Sequence, residues 1–297
     1  TKIDDIRVSA LQKALRHTYV LQLQTYHILK PKGDFWLQYS VLIAPLQEWS
    51  QPGEIICFIP YGFLHDLPLH ALLLDGNPLI SRNPVFYNAS LSSWAYLRTK
   101  QTRQDLLATP AIFANPAEEL NLELSLQEAN LIHELLGGTS YQAEAVNKVH
   151  FLASLQSSSI LHFAGHGFHD RQSGLESGIQ LFGTETISVE EVINQEIQAE
   201  LVVLSACETG LHRNHPGEER LGLVNALLSA GSQSVIASLW QVTDIDADRF
   251  FRLFYPKLKA GIPKVIALQE SMVDMMADSE RSEFYHWGAF ALYGYWG

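Results

Sequence analysis

The sequence predicts an α/β fold, a mainly parallel sheet flanked by helices on both faces, and three observations carry that expectation. Short apolar runs recur at residues 111–114, 160–164, 201–205, 234–239 and 288–293. The run Leu201-Val202-Val203-Leu204 does not alternate, as expected of a strand covered on both faces. Helical stretches fall between these runs, and such alternation calls for crossover connections between parallel strands.

Taken in order, Ile6, Leu11, Leu15, Val20 and Leu23 have rough helical spacing up to Pro31-Lys32-Gly33. A second helical stretch covers residues 35–49 and stops at Gln51-Pro52-Gly53. Residues 55–60 read as a buried strand with Cys57 as a small core residue. Pro60, Gly62, Pro68, Gly76, Pro78 and Pro84 then mark a loop-rich part. Beyond residue 111 one helix opens at Ser125-Leu126-Gln127-Glu128, read as a capping box, and ends at Gly137-Gly138. Ser188-Val189-Glu190-Glu191 repeats the device. Further helices cover residues 219–230 before Gly231, follow Thr243-Asp244, and start at Pro263. The organisation is thus an N-terminal helical segment, residues 1–35, and a domain of residues 36–297. That domain divides into a loop-rich part, 36–110, and an α/β core, 111–297.

Composition narrows the function. Twenty Lys+Arg against 32 Asp+Glu give a net charge of −12 over 297 residues, which argues against direct nucleic-acid binding. No apolar run approaches the ~18 residues of a membrane span. The start, Thr1-Lys2-Ile3-Asp4-Asp5, is no signal peptide, and the missing initiator Met suggests a fragment of a longer protein. Two cysteines in unlike contexts exclude a disulfide framework and point to a reducing, cytoplasmic setting.

In open α/β sheets, sites form at the carboxyl ends of strands. Two ends stand out: Gly165-His166-Gly167 after residues 160–164, and Ala206-Cys207-Glu208-Thr209-Gly210 after residues 201–205. A Cys–His pair there suits acyl transfer, with the thiolate attacking a carbonyl while imidazole takes and returns the proton. The amides of Gly167 and Cys207, just after strand ends, are the expected holders of the oxyanion. His162, within a strand, reads as a hydrogen-bonded core histidine. His162, His166, His169 and Asp170 do not complete a metal shell, so no metal or cofactor is expected. No P-loop or G-x-S-x-G elbow occurs, and Asp170 stands where a dinucleotide fingerprint needs its third glycine.

Three ordered motifs resemble a known family. They are the run from Ile160 to Gly167 (ILHFAGHG), the run from Leu201 to Gly210 (LVVLSACETG), and the run from Ala237 to Asp244 (ASLWQVTD). Together with the stretch from Pro60 to Pro68, Ala114-Asn115-Pro116 and Trp287-Gly288-Ala289-Phe290, they resemble CHAT domains. These are caspase-like cysteine peptidases, related to separases and often fused to TPR repeats. The resemblance implies a caspase–haemoglobinase fold over residues 36–297, His166 as base and Cys207 as nucleophile. It also implies a protein substrate and a fused or associated TPR-type regulatory region. Ser-Ala-Cys-Glu-Thr-Gly departs from the Q-A-C-x-G of animal caspases, and no Gln precedes Ala206-Cys207, which argues against an Asp-directed pocket.

Seven glutamates (176, 185, 190, 191, 196, 200 and 208) and no Lys or Arg lie between Arg171 and Arg213, so an acidic field favours a basic residue before the scissile bond. Asp244 is the expected anchor for it, with helix capping by Asp244 or Thr243 as the competing role; Ser205 and Trp240 complete the candidate substrate contacts. Self-cleavage at Arg213 or Arg220 is a further expectation. The rivals are a silent caspase-like interaction module and a small-molecule acyl hydrolase using the same dyad.

Overall fold

The computed structural model describes residues 37–61, 64–65, 67–99, 106–114, 123–168, 174–207, 222–240, 242–279 and 282–297. The helix expected in residues 1–35, and Arg213 and Arg220, lie outside them.

The strands in chain order are β1 Ile56–Phe58, β2 Leu73–Leu74, β3 Asn77–Pro78, β4 Val85–Tyr87, β5 Ala111–Ala114 and β6 Thr139–Gln142. They continue with β7 Ile160–Phe168, β8 Gly178–Gln180, β9 Thr186–Ser188, β10 Leu201–Cys207, β11 Ser234–Ser238 and β12 Phe290–Gly294. Eight of them form the order β1-β4-β12-β11-β10-β7-β5-β6, with β8 paired to β7 and β9 to β8 in the same sheet. β10 is parallel to both β7 and β11, whereas β12 is antiparallel to β11. β2 and β3 make a separate hairpin. Through β1 and β4, the loop-rich part shares the sheet of the α/β core.

The longer helices are α1 Leu91–Thr99, α2 Glu123–Leu136, α3 Lys148–Ser157, α4 Val189–Ile193, α5 Gly222–Ala230, α6 Asp244–Lys259 and α7 Lys264–Met276. Adjacent residues of β7 show how they split into layers, since successive strand residues face opposite ways. His162 meets Phe251 and Tyr255 of α6. Phe163 meets Phe151 of α3, which also packs on Phe113 of β5. Thus α6, with α2 and α7 against it, covers one face, and α3 covers the other. α3 is tied to α4 by Lys148–Glu191 at 2.6 Å, and α4 packs on α5. Aromatic side chains fill the space under α6, where Phe250, Phe251, Phe254 and Tyr255 are fully buried and Phe250 stacks on Phe290 at 4.3 Å.

Local chemistry sets the helix limits. Ser188 and Glu191 make the expected capping box, each side chain bonded to the other's backbone amide. Gly137 and Gly138 close α2 with φ of 73° and 85°. A Cβ at Gly231, after α5, would stand 2.2 Å from the Ile197 carbonyl oxygen, so only glycine fits.

Several expectations change. The stretch 35–49 is not one helix: a 3-10 turn, Leu37–Leu42, is separated from the one-turn helix Leu46–Trp49 by Pro45, whose ring lacks the donor and crowds the preceding turn. Ser125 does not open its helix, because α2 begins at Glu123 and both Ser125 and Glu128 turn inward. Cys57 is exposed rather than core, since β1 is an edge strand with one open face. Nor do the glycines around His166 end β7, which stays extended to Phe168 because β8 pairs with its tip. The sequence reading missed β6, a polar edge strand, and β4, three residues in a proline-punctuated region.

One buried lock joins the loop-rich part to the core. His70 Nε2 lies 2.9 Å from the Gly288 carbonyl, which only accepts, so Nε2 carries the proton and Nδ1 accepts from the Tyr87 hydroxyl at 2.7 Å. Burial outweighs the Gly288 hydrogen bond and pushes the imidazole down to about 4. An unfolded His takes up its proton near 6.5, so between about 6.5 and 4 the unfolded chain binds more protons. The lock's contribution is therefore complete above about pH 6.5 and is lost as pH falls toward 4, by ~3 kcal/mol in the limit. Urea midpoints taken across that window check this: wild type falls steeply, and His70→Gln starts lower but loses that part of the slope.

Candidate active site

The site grows from the tips of β7 and β10. β5 accompanies β7 as far as Ala114↔Ala164, and β11 accompanies β10 as far as Leu204↔Ala237. Past those points β7 and β10 continue together, Ser205↔Ala164, Ala206↔Gly165 and Cys207↔His166, as a ribbon beyond the carboxyl ends of β5 and β11. The residues picked out from the sequence as base and nucleophile are direct register partners at its end. His166 is half-buried, and β8 supports it on its other side through His166↔Gln180. Gly167 follows, opposite Ile179. The side chain of Cys207 and residues 208–210 lie outside the described residues.

Asp244 is brought to the same place. It is the first residue of α6, and Thr243 is the cap, accepting from the Asp246 amide at 3.2 Å. The carboxylate of Asp244 is thereby left free of capping duty. It reaches solvent, yet loss of hydration raises its carboxyl above the ordinary value, and the charge of His166 opposes the rise. Asp244 thus lies within electrostatic reach of His166.

The corner that carries Asp244 is built rigidly. Asp246, fully buried, accepts from the Thr243 hydroxyl at 2.6 Å and pairs with His286 Nδ1 at 2.9 Å. Trp240 is only 3% exposed; it stacks on Tyr285, and its indole N–H donates to the Tyr285 carbonyl at 3.2 Å. Trp240 therefore packs beneath the rim with its polar end already used. Ser205 is half-buried, and its hydroxyl donates to Glu128 Oε2 at 3.3 Å. That bond also turns it toward the protein.

The acidic field is more dispersed than the sequence suggested. Glu191 is spent on its cap and on Lys148, and Glu185 accepts from the Lys148 amide. Glu200 is buried at the foot of β10, about 23 Å along the strand from Cys207. Glu208 lies outside the described residues.

Under the ribbon lies a polar network the sequence reading did not assemble. His162, as expected, is a hydrogen-bonded core histidine with no exposure. Its Nε2 faces Glu128 Oε1 at 2.7 Å, and its Nδ1 faces the Tyr255 hydroxyl at 2.8 Å. Burial, with the Glu128 charge adding to it, raises the Tyr255 hydroxyl well above its ordinary value, so it remains a neutral donor. The signal for Glu128 was present in the sequence. Ser125, Glu128, Ala129 and Ile132 fall at i, i+3, i+4 and i+7, one buried helix face that includes a carboxylate.

Among the described residues no group of three or more His, Cys, Asp or Glu is placed to hold a metal ion, and no helix is long and apolar enough to cross a membrane.

Comparison with known proteins places this architecture. The CHAT domain family model matches residues 37–295. Human tetratricopeptide repeat protein 28 is 22% identical over 305 residues, covering 90% of this chain, which spans 12% of that protein's length. The separase of the Saccharomyces cerevisiae separase–securin complex superposes with a TM-score of 0.58 at 18% identity, over 77% of this chain and 14% of that one. The Arg-specific cysteine proteinase gingipain R superposes with a TM-score of 0.56 at 14% identity, over 96% of this chain and 75% of that one. At such identities the likeness establishes the fold, that of the caspase-like cysteine peptidases.

Proposed function

We propose that this chain, which belongs to the CHAT domain family, is a cysteine endopeptidase that cleaves a protein substrate after a basic residue. The observation that carries the reading is the register Cys207↔His166 at the end of the protruding ribbon. Side chains of paired parallel residues are close neighbours, and both positions lie past the edge of the sheet, where substrate has access. In the proposed reaction His166 takes the Cys207 thiol proton as sulfur attacks the scissile carbonyl. The amides of Gly167 and Cys207 receive the oxyanion. His166 returns the proton to the departing amine, leaving an acyl-enzyme that water cleaves to release the carboxylate and restore the thiol. Nucleophile and base are both side chains, so the reaction requires no cofactor or metal ion. A cytoplasmic setting would keep the thiol reduced.

Asp244 is proposed to hold the basic side chain. Its free carboxylate close to His166 supports this, as does the arginine specificity in the name of the structural relative gingipain R. Control by a TPR-type region, fused or bound, accords with the likeness to a tetratricopeptide repeat protein.

Mapping of new protein termini made by wild type but not by Cys207→Ala tests the reading, using the full-length protein. Wild-type-specific termini following Lys or Arg are expected. Their complete absence would instead favour an interaction module that signals without cleaving. With fluorogenic peptides differing only in the residue before the scissile bond, Asp244→Asn should lose roughly tenfold to a hundredfold of the preference for Arg over Ala, the scale of one charge-assisted contact. Selectivity for Asp in the wild type would sink the basic pocket.

A further inference from the structure

The ribbon that carries Cys207 and His166 has an uneven support. The β7 tip is paired on both sides, by β10 and by β8. The β10 tip is not: its pairing with β11 stops at Leu204↔Ala237, so among the described residues no strand holds the outer edge of residues 205–207. The β7 tip opposite it contains two glycines, Gly165 and Gly167, which contribute no side-chain packing across the pair. A nucleophile on such an end would wander unless something fixes the strand just below it.

Glu128 supplies that fixation. It is 2% exposed on α2, the helix beneath the ribbon, and its two carboxylate oxygens are divided between the two strands. Oε1 pairs with His162 of β7 at 2.7 Å, and Oε2 accepts from Ser205 of β10 at 3.3 Å. Ser205 is one full pleat period below Cys207, and His162 is two periods below His166. The carboxylate therefore ties the ribbon together at its root, where β5 and β11 cease to do so. His162 in turn is held by the Tyr255 hydroxyl from α6, at the end of the network remote from β10.

We infer that Glu128 is a positioning residue for the dyad, acting through Ser205 on the strand that carries Cys207 and through His162 on the strand that carries His166. Displacing a reacting atom by about 1 Å can cost on the order of a hundredfold in rate, so a modest bond at this point has a large lever.

The kinetic arm of the test rests on the peptidase reading; a second arm does not. Ser205→Ala removes only the tie to β10. It should lower kcat roughly tenfold to a hundredfold at nearly unchanged KM, and Ser205→Thr, which keeps a hydroxyl, should recover most of it. Tyr255→Phe removes a deeper hydroxyl of the same network without touching β10. It should lower the melting temperature but slow kcat clearly less than Ser205→Ala does, because His162 keeps its bond to Glu128. Independently of any turnover, carbamidomethylation of Cys207 by iodoacetamide, followed by mass spectrometry across pH, should show a displaced profile in Ser205→Ala and a wild-type profile in Tyr255→Phe. A wild-type alkylation profile in Ser205→Ala would overturn the inference, and so would equal slowing by Ser205→Ala and Tyr255→Phe. If no variant and no wild type turns over peptide while the alkylation profiles separate as described, the peptidase reading fails and the positioning role stands.

Discussion

Replacing His166 with alanine should reduce kcat/KM on a cleavable peptide by ~10²–10⁴-fold, the usual worth of a placed acid–base group. The variant loses both proton transfers of the proposed cycle but keeps the nucleophile and the Gly167 and Cys207 amides. A thiol is a few per cent ionised near neutrality even without help, so some activity should survive. That residue of activity should climb with pH as the thiol ionises unaided, whereas wild type should level off earlier. The fold should not suffer. His166 is half-buried, and Gln180 of β8 and Cys207 of β10 flank it by backbone pairing, which alanine preserves. A variant with wild-type stability and wild-type kcat/KM would mean that another group takes the proton. Steady-state rates from about pH 6 to 10, with urea midpoints as the control, decide it.

Much of this site was legible from residue order, and the reasons differ by residue. His166 and Cys207 could be paired because strands of a parallel sheet end at one rim, and the glycines around His166 had no packing rationale. Asp244 could be placed at the same rim, but not its freedom from capping, which depends on whether Thr243 or Asp244 takes the first amides of α6. Tertiary burial overrode local signals elsewhere. Ser125-x-x-Glu128 has the sequence of a capping box, but two more residues of helix precede it, and the same spacing puts both side chains on the buried face. Trp240 sits in a motif at the rim, and only the short helix Phe284–Trp287, nearly fifty residues further on, shows that its ring is packed inward. Cys57 reads as core in an apolar run, yet strand order along the sheet leaves it on an edge. Such facts belong to the assembled layers, and no window of sequence contains them.

The carboxylate beneath the ribbon carries the largest expected stability effect. Glu128→Ala should cost ~3–5 kcal/mol, because removing one partner of a buried polar pair strands the other without water. Here it strands the buried His162 ring and also takes the partner of the half-buried Ser205 hydroxyl. Against a total of ~5–15 kcal/mol for a typical domain, that loss should lower the urea midpoint severely. Glu128→Gln keeps the shape and one acceptor, so its cost should be nearer ~1–3 kcal/mol. The decisive comparison is a double-mutant cycle with Glu128→Leu and His162→Phe. Replacing both polar partners by apolar groups of similar bulk should recover at least ~1 kcal/mol relative to the sum of the single changes, because neither group is left unpaired. Additive costs would mean that the two residues are buried near each other without being coupled. Recovery of stability without recovery of kcat in the double variant would separate what the network does for the fold from what it does for the strands above it.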